Sequence, residues 1–174
     1  MFFNEKNIIN ALFKISFTFY SLFLMGSILF KYVSPIGLFS DDRYFARSIN
    51  LIPFNDVING SYNSLDIWGN VILFIPLGIY ISIFFKKSKV YQNIIKIAVI
   101  SLIFELFQYI LAIGASDISD IITNTFGGII GISIYLIIKK ILKQDDKVKT
   151  FISICSSVVM IPVTFILLAL TIYN

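Results

Sequence analysis

The stretch "SDISDIITNTFGGIIGISIYLII", Ser116 to Ile138, decides what kind of protein this is. Its second half has the apolarity of a segment meant for lipid, yet its first half carries Asp117, Asp120 and Asn124. A charge at the centre of a bilayer costs about 2.5 to 3.5 kcal/mol on insertion scales, so such residues persist where they have a partner or a task. The rest of the chain supports a membrane setting. Of 174 residues, 57% are hydrophobic and 14% charged, against about 25% charged in an ordinary soluble domain. Mean hydropathy is +0.88.

Reading outward from that stretch in windows of about 19 residues gives five apolar segments: Ile8 to Tyr32, Ile67 to Phe85, Val90 to Ile113, Ile118 to Ile138, and Thr150 to Tyr173. The expected fold is all-α, an integral membrane bundle of about five transmembrane helices forming one domain over residues 1–174. The first segment is long and no small-residue cleavage pattern follows it, so it reads as an anchor and not a secretory signal. Lysines set the orientation. Eleven cations (Lys6, Lys14, Lys86, Lys87, Lys89, Lys96, Lys139, Lys140, Lys143, Lys147, Lys149) fall on or near one side, and three (Lys31, Arg43, Arg47) on the other. The positive-inside rule then puts the N-terminus in the cytoplasm and the C-terminus outside.

Composition also excludes. With no histidine, His-based triads, His metal sites and an imidazole switch are all unavailable. A single cysteine, Cys155, rules out an internal disulfide or a cysteine cluster. The net charge of +4 forms no basic stripe interleaved with aromatics, so nucleic acid is not an expected partner. Chemistry is left to carboxylates, amides, hydroxyls and arginine.

The polar residues gather at one depth. Ser101, Glu105, Gln108 and Ala112 follow helical spacings of one face, as do Asp117, Asp120, Asn124 and Gly131. At about 1.5 Å per residue, Glu105 and Asn124 lie at similar distances from the turn that joins their helices. That turn is short, so the two helices are antiparallel neighbours, and Gly127 with Gly131 offers a small-xxx-small face for close approach. Asn70 enters the same layer from the second span, followed by Pro76, which kinks a helix or frees the Ile72 carbonyl. The long first outer connection holds "RSINLIPFNDVI", Arg47 to Ile58, too polar to span and too apolar for a free loop. It reads as an interfacial or re-entrant segment in which Arg47 meets a lipid phosphate, Asp117 or Asp120.

Four blocks now stand in order: "NLIPF" (Asn50 to Phe54), "NVILFIPLG" (Asn70 to Gly78), "ELFQ" (Glu105 to Gln108) and "DISDIITNTFGGIIG" (Asp117 to Gly131). Together they resemble the motif blocks of the VanZ-like family, over about residues 43–138. The resemblance implies a bacterial plasma-membrane protein linked to low-level resistance to teicoplanin-type lipoglycopeptides. One departure stands out. Members of that family often carry an arginine just before the acidic pair, where this chain has Ile113, Gly114, Ala115 and Ser116. If that arginine holds an anion, Arg47 must serve here.

Several functions fit these residues. An enzyme would act on an isoprenoid-phosphate lipid or another envelope glycolipid, with Glu105, Asp120 and Asp117 as the catalytic candidates. Two carboxyls in a poorly solvated site can divide into proton donor and acceptor. A non-catalytic protein would bind an envelope lipid precursor or a lipoglycopeptide through Arg47, Asn50, Asn70, Gln108 and Asn124. Transport is a third reading, against which stand the absence of an internal repeat and the featureless inner halves of the helices. In the plainest reading the cluster only fixes helix packing. Oxygen ligands suit a hard ion such as Mg2+ or Ca2+, but the spacing matches no dedicated metal motif, so no metal ligand and no cofactor is assigned. Membrane lipids are the general partner.

Overall fold

The computed structural model describes residues 5–31, 46–60 and 64–173; Arg43, counted above among the cations, lies outside them. Five helices are long and apolar enough to cross a membrane: α1 (Glu5–Leu29), α3 (Ser64–Phe84), α4 (Val90–Leu111), α5 (Ile118–Leu142) and α6 (Asp145–Tyr173). The chain is a multi-pass membrane protein. Four helix ends run past the expected apolar windows, and charge explains two of them, the end of α5 and the start of α6. Lys139 and Lys140 lie in the last turn of α5, and Asp145 and Asp146 in the first turn of α6, each sign favourable to the helix dipole at that end. Lys139 Nζ and Asp145 Oδ1 pair at 3.4 Å across the break.

The first long connection takes an unexpected form. Its Arg47–Ile58 stretch lies in a strand, β1 (Ala46–Asn50), and, after a turn, a four-residue helix, α2 (Asn55–Ile58). β1 pairs in parallel with β2 (Ile113–Asp117), in register from Ala46↔Ile113 to Asn50↔Asp117. β2 is the short turn expected between α4 and α5, drawn out into extended backbone. Parallel strands need a crossover between them, and here it is α3 and α4. Two membrane crossings return the chain to its starting side, so the pairing agrees with both helices being spans. Ala112, which ends α4, is left-handed at φ 51° and redirects the chain from helix into β2.

Residues Leu24–Leu136 form one compact unit. Within it α4 is inverted relative to a soluble amphipathic helix: the buried stripe is Asn93, Ile97, Ser101, Glu105 and Gln108, while Ile95, Val99, Leu102, Leu106 and Ile110 are exposed. In lipid that is the favourable arrangement, since hydrocarbon welcomes the apolar face and polar groups must find partners inside. α3 and α5 meet backbone to backbone. A methyl group on Gly78 would collide with the Gly128 carbonyl, one on Gly127 with the Val71 carbonyl, and one on Gly131 with the Ile75 carbonyl. The expected close approach at Gly127 and Gly131 is therefore made by α3. Phe74, fully buried, packs edge-on against Phe104 at 6.3 Å.

Residues Met1–Phe23 and Ile137–Asn174 form the second unit. Its two spanning segments carry no recognisable motif, but polar contacts pin them. Ser16 and Ser157 hydroxyls meet at 3.3 Å, and Lys149 donates to Asn10 Oδ1 at 2.6 Å while lying over the Phe13 ring.

Candidate functional site at the ribbon end

The β ribbon, the start of α5 and the last turns of α4 converge on Asp117. It precedes α5, and its Oδ1 accepts the backbone N–H of Ser119 at 2.7 Å and the Ser119 hydroxyl at 2.6 Å. An Asp in this place satisfies a donor that the first helical turn cannot pair internally. Its other oxygen, Oδ2, accepts from Asn50 Nδ2 at 3.0 Å. Ser119 Oγ in turn accepts the backbone N–H of Phe54 at 2.9 Å, a residue held in the left-handed region at φ 55°. Asp117 thus joins β1, β2, the entry to α2 and α5, and both of its oxygens are engaged in doing so.

Glu105 holds the same joint from α4. Its Oε2 accepts the backbone N–H of Asp117 at 2.9 Å, and its carbonyl accepts the Ser116 hydroxyl at 2.7 Å. Its side chain is buried, and Oε1 has no hydrogen-bond partner among the described residues. Gln108, one turn on, donates to the Ile28 carbonyl of α1 at 2.9 Å and leaves Oε1 unpartnered. Asn124 donates to Ser101 Oγ at 2.9 Å and leaves Oδ1 unpartnered. Depth alone would match Asn124 with Glu105; its bonded neighbour is one helical turn further in.

Asp120 belongs to a second group. Lys31, just past the end of α1, lies 3.1 Å from Asp66 Oδ1 and 3.9 Å from Asp120 Oδ2. Asn70, one turn along α3 from Asp66, is 3% exposed. Its amide lies against the Asp120 carboxyl, and its Nδ2 makes no other hydrogen bond among the described residues. Lys31, Asp66 and Asp120 line an open cleft with Asp56, Asp117 and Phe54. No group of three or more Cys, Asp or Glu side chains among the described residues is placed to hold a metal ion.

Arg47 lies elsewhere. It makes no ion pair with Asp117 or Asp120; its Nη2 donates to the Ile110 carbonyl at the end of α4 at 3.4 Å, and the guanidinium lies 6.0 Å from the centre of the Tyr109 ring. Side chains three apart on a strand point to opposite faces, so Asn50 turns to the joint and Arg47 away from it. Of the residues singled out by sequence, then, Glu105, Asp117 and Asn50 meet at the joint, Asp120 lines the cleft, and Asn70 lies behind it against the Asp120 carboxyl. Gln108 and Asn124 line the buried polar face. Sequence reading placed Ser101 on the polar face of α4 and passed over Lys31, Asp66 and Ser119 as site residues. Lys31 had weight only as a topological cation, and its partners stand 35 and 89 positions away, a separation no local spacing can reveal.

The order of the four motif blocks and the geometry they build accord with comparison to known proteins. The profile of the VanZ/LLP1 family matches residues 17–139, most of the chain. The chain belongs to this family. Protein VanZ of Enterococcus faecium is 36% identical over 144 residues, covering 82% of this chain and 86% of that relative. No solved structure matches. The family match includes every residue of the joint and the cleft and stops just short of α6.

Proposed function

We propose that this VanZ-family membrane protein contributes to resistance against teicoplanin-type glycopeptides by binding an envelope lipid at the ribbon end, on the outer side of a bacterial plasma membrane. One observation carries the reading. Asn70, Glu105, Gln108 and Asn124 are each at least 97% buried, and each leaves one polar atom unpartnered. Native proteins pair nearly all such atoms, and in hydrocarbon an unmet polar group is dearer still. Side chains whose only task was to fix helix register would bond to one another. Here each keeps an atom in reserve toward the end of the unit where the cleft opens, which suits a ligand.

Binding fits better than catalysis because Asp117 is committed to the joint and Asp120 is paired with Lys31. Transport has little support from the α3–α5 seam, where the two helices touch through backbone. The lysines of the α3–α4 connection, Lys86, Lys87 and Lys89, support a cytoplasmic face at the end away from the ribbon.

Expression in a susceptible Gram-positive host tests the reading. Tolerance to teicoplanin should rise more than tolerance to vancomycin, because a lipid-tailed drug partitions into the layer where the site is proposed. Equal tolerance with and without the protein, at matched membrane levels, refutes it. In a Cys155→Ser background, Asn59→Cys should react with an impermeant thiol reagent on intact cells, and Ser88→Cys only after permeabilisation.

A further inference from the structure

The turn that joins α3 to α4, at the end of the unit away from the ribbon, carries charge of one sign. From Ile67 to Phe104 the chain has four lysines, Lys86, Lys87, Lys89 and Lys96, and no carboxylate. Lys86, Lys87 and Lys89 stand exposed in the turn itself. Lys96 has a different part. Its ammonium donates to Ser88 Oγ at 3.3 Å, to the Gln92 carbonyl at 3.4 Å and to Asn93 Oδ1 at 3.3 Å, and lies 4.7 Å from the centre of the Phe85 ring. An ammonium has three donors, and these three acceptors engage them all. Lys96 thus braces the turn against the start of α4, so the exposed lysines are carried on an ordered frame and lose less freedom when they bind.

The surroundings of these lysines suit lipid. Phe84, Phe85 and Tyr91 flank them in sequence and are exposed, as aromatic side chains are at the boundary between headgroups and hydrocarbon. From Tyr91 an exposed stripe runs along α4 through Ile95, Val99, Leu102 and Leu106, at spacings of four and three that keep it on one helical face. An acyl chain lying on that stripe brings its headgroup level with the turn. Lys87 and Lys89 make no ion pair among the described residues, which leaves their charge for a partner. Asp145 and Asp146, the acids of the α5–α6 connection, pair with Lys139 and Lys6.

We propose that the α3–α4 turn binds an anionic phospholipid of the surrounding bilayer, with Lys87 and Lys89 on its phosphate and an acyl chain along the exposed stripe of α4. A zwitterionic lipid carries its own counter-charge and gains less from the two lysines. The site is separate from the ribbon end and does not rest on the function proposed for it. In the orientation proposed above it draws its lipid from the cytoplasmic leaflet.

The test titrates the full purified chain in detergent with phosphatidylglycerol or phosphatidylcholine of the same acyl chains, and native mass spectrometry counts the bound lipid. Phosphatidylglycerol should bind at least about tenfold more tightly, since each lysine beside anionic lipid is worth about fivefold. The preference should shrink as salt rises. Lys87→Gln with Lys89→Gln should bring the two lipids within about twofold of each other. Should that variant insert poorly, Lys89→Gln alone, which keeps more of the charge that sets topology, should cost about fivefold of the preference. Lys140→Gln with Lys143→Gln removes equal charge from the α5–α6 connection and should leave the preference in place. An equal loss in that control pair would reveal a diffuse basic surface and overturn the site at the turn. Equal binding of the two lipids by the unaltered chain, or a preference that survives the loss of Lys87 and Lys89, overturns it as well.

Discussion

The α3–α5 seam and the ribbon end lie in the same compact unit, on the same helices, and treat polar groups in opposite ways. Along the seam, glycines at 78, 127, 128 and 131 bring backbone against backbone or against Ile97. At the ribbon end, carboxylates and amides enter the protein interior, and four of them keep an atom in reserve. Two purposes explain the contrast. Membrane helices gain nothing from the hydrophobic effect against lipid and associate through close packing, so the seam spends its residues on contact. A packing role gives the ribbon end no reason to carry unmatched atoms, and that is what supports the binding proposed for it.

The largest expected effect breaks the seam. Gly131→Ala or Gly78→Ala puts a methyl group into a backbone carbonyl that cannot step aside, and overpacking of this kind costs about 1–3 kcal/mol or more. Folded protein recovered from membranes should fall several-fold. Gly128→Ala sharpens the point, because there the methyl meets only the end of the Ile97 side chain. Its defect should be largely rescued by Ile97→Val, whereas no single side-chain change should rescue Gly131→Ala; rescue of both would show that the seam is not backbone-limited.

A smaller effect separates the two purposes at the ribbon end. Glu105→Leu removes the acceptor of the Asp117 N–H, and a buried unpaired donor costs about 1–3 kcal/mol, so melting temperature in detergent should fall. Glu105→Gln keeps an acceptor of nearly the same shape. Under the binding reading it should weaken but not abolish resistance per unit of membrane protein, because the unpartnered Oε1 acceptor becomes an amide N–H donor, with little loss of stability. Abolished resistance in folded Glu105→Gln would point instead to proton transfer or ion holding, which an amide cannot perform.

The smallest effect concerns the corner where the regions meet. Ala112 occupies the left-handed region, at a cost of order 1 kcal/mol that glycine avoids. Ala112→Gly should leave melting temperature unchanged or slightly higher, although glycine inside a helix ordinarily lowers stability by about 0.5–1 kcal/mol. A clear drop would mean that the Ala112 methyl, buried at 1% exposure, contributes more to packing than it costs in strain.

Much of this contrast was legible in the chain itself, and the limits have physical causes. Five spans follow from hydropathy because lipid imposes one requirement along each helix, and the polar face of α4 follows from helical period. Glu105 and Asp117 could be drawn to one level because the turn between their helices is short. The ribbon could not be read. β1 and β2 are separated by 62 residues, and neither "ARSIN" nor "IGASD" alternates strongly, so nothing local marks either as a strand. The expected pairing of Arg47 with Asp117 or Asp120 is absent for the same reason: beside carboxylates on a helix or loop, it points away from them on a strand. Lys31 escaped notice because its role depends on where the end of α1 meets α3 and α5.

The parallel pairing of β1 with β2 also sets a timetable. β1 leaves the ribosome well before its partner, and the 62 residues between them include two helices that must first be threaded into the bilayer. Until Asp117 emerges, Asn50 has no carboxylate to bind and Phe54 no Ser119 to receive its N–H. The ribbon end thus closes late in the synthesis of this unit, with only the rest of α5 still to emerge, and it needs β1 and β2 on one side, where they lie once α3 and α4 have both crossed. A polypeptide with either helix misinserted would leave its two strands on opposite faces of the membrane, unable to meet, so closure of the clasp works as the molecule's own check on its topology.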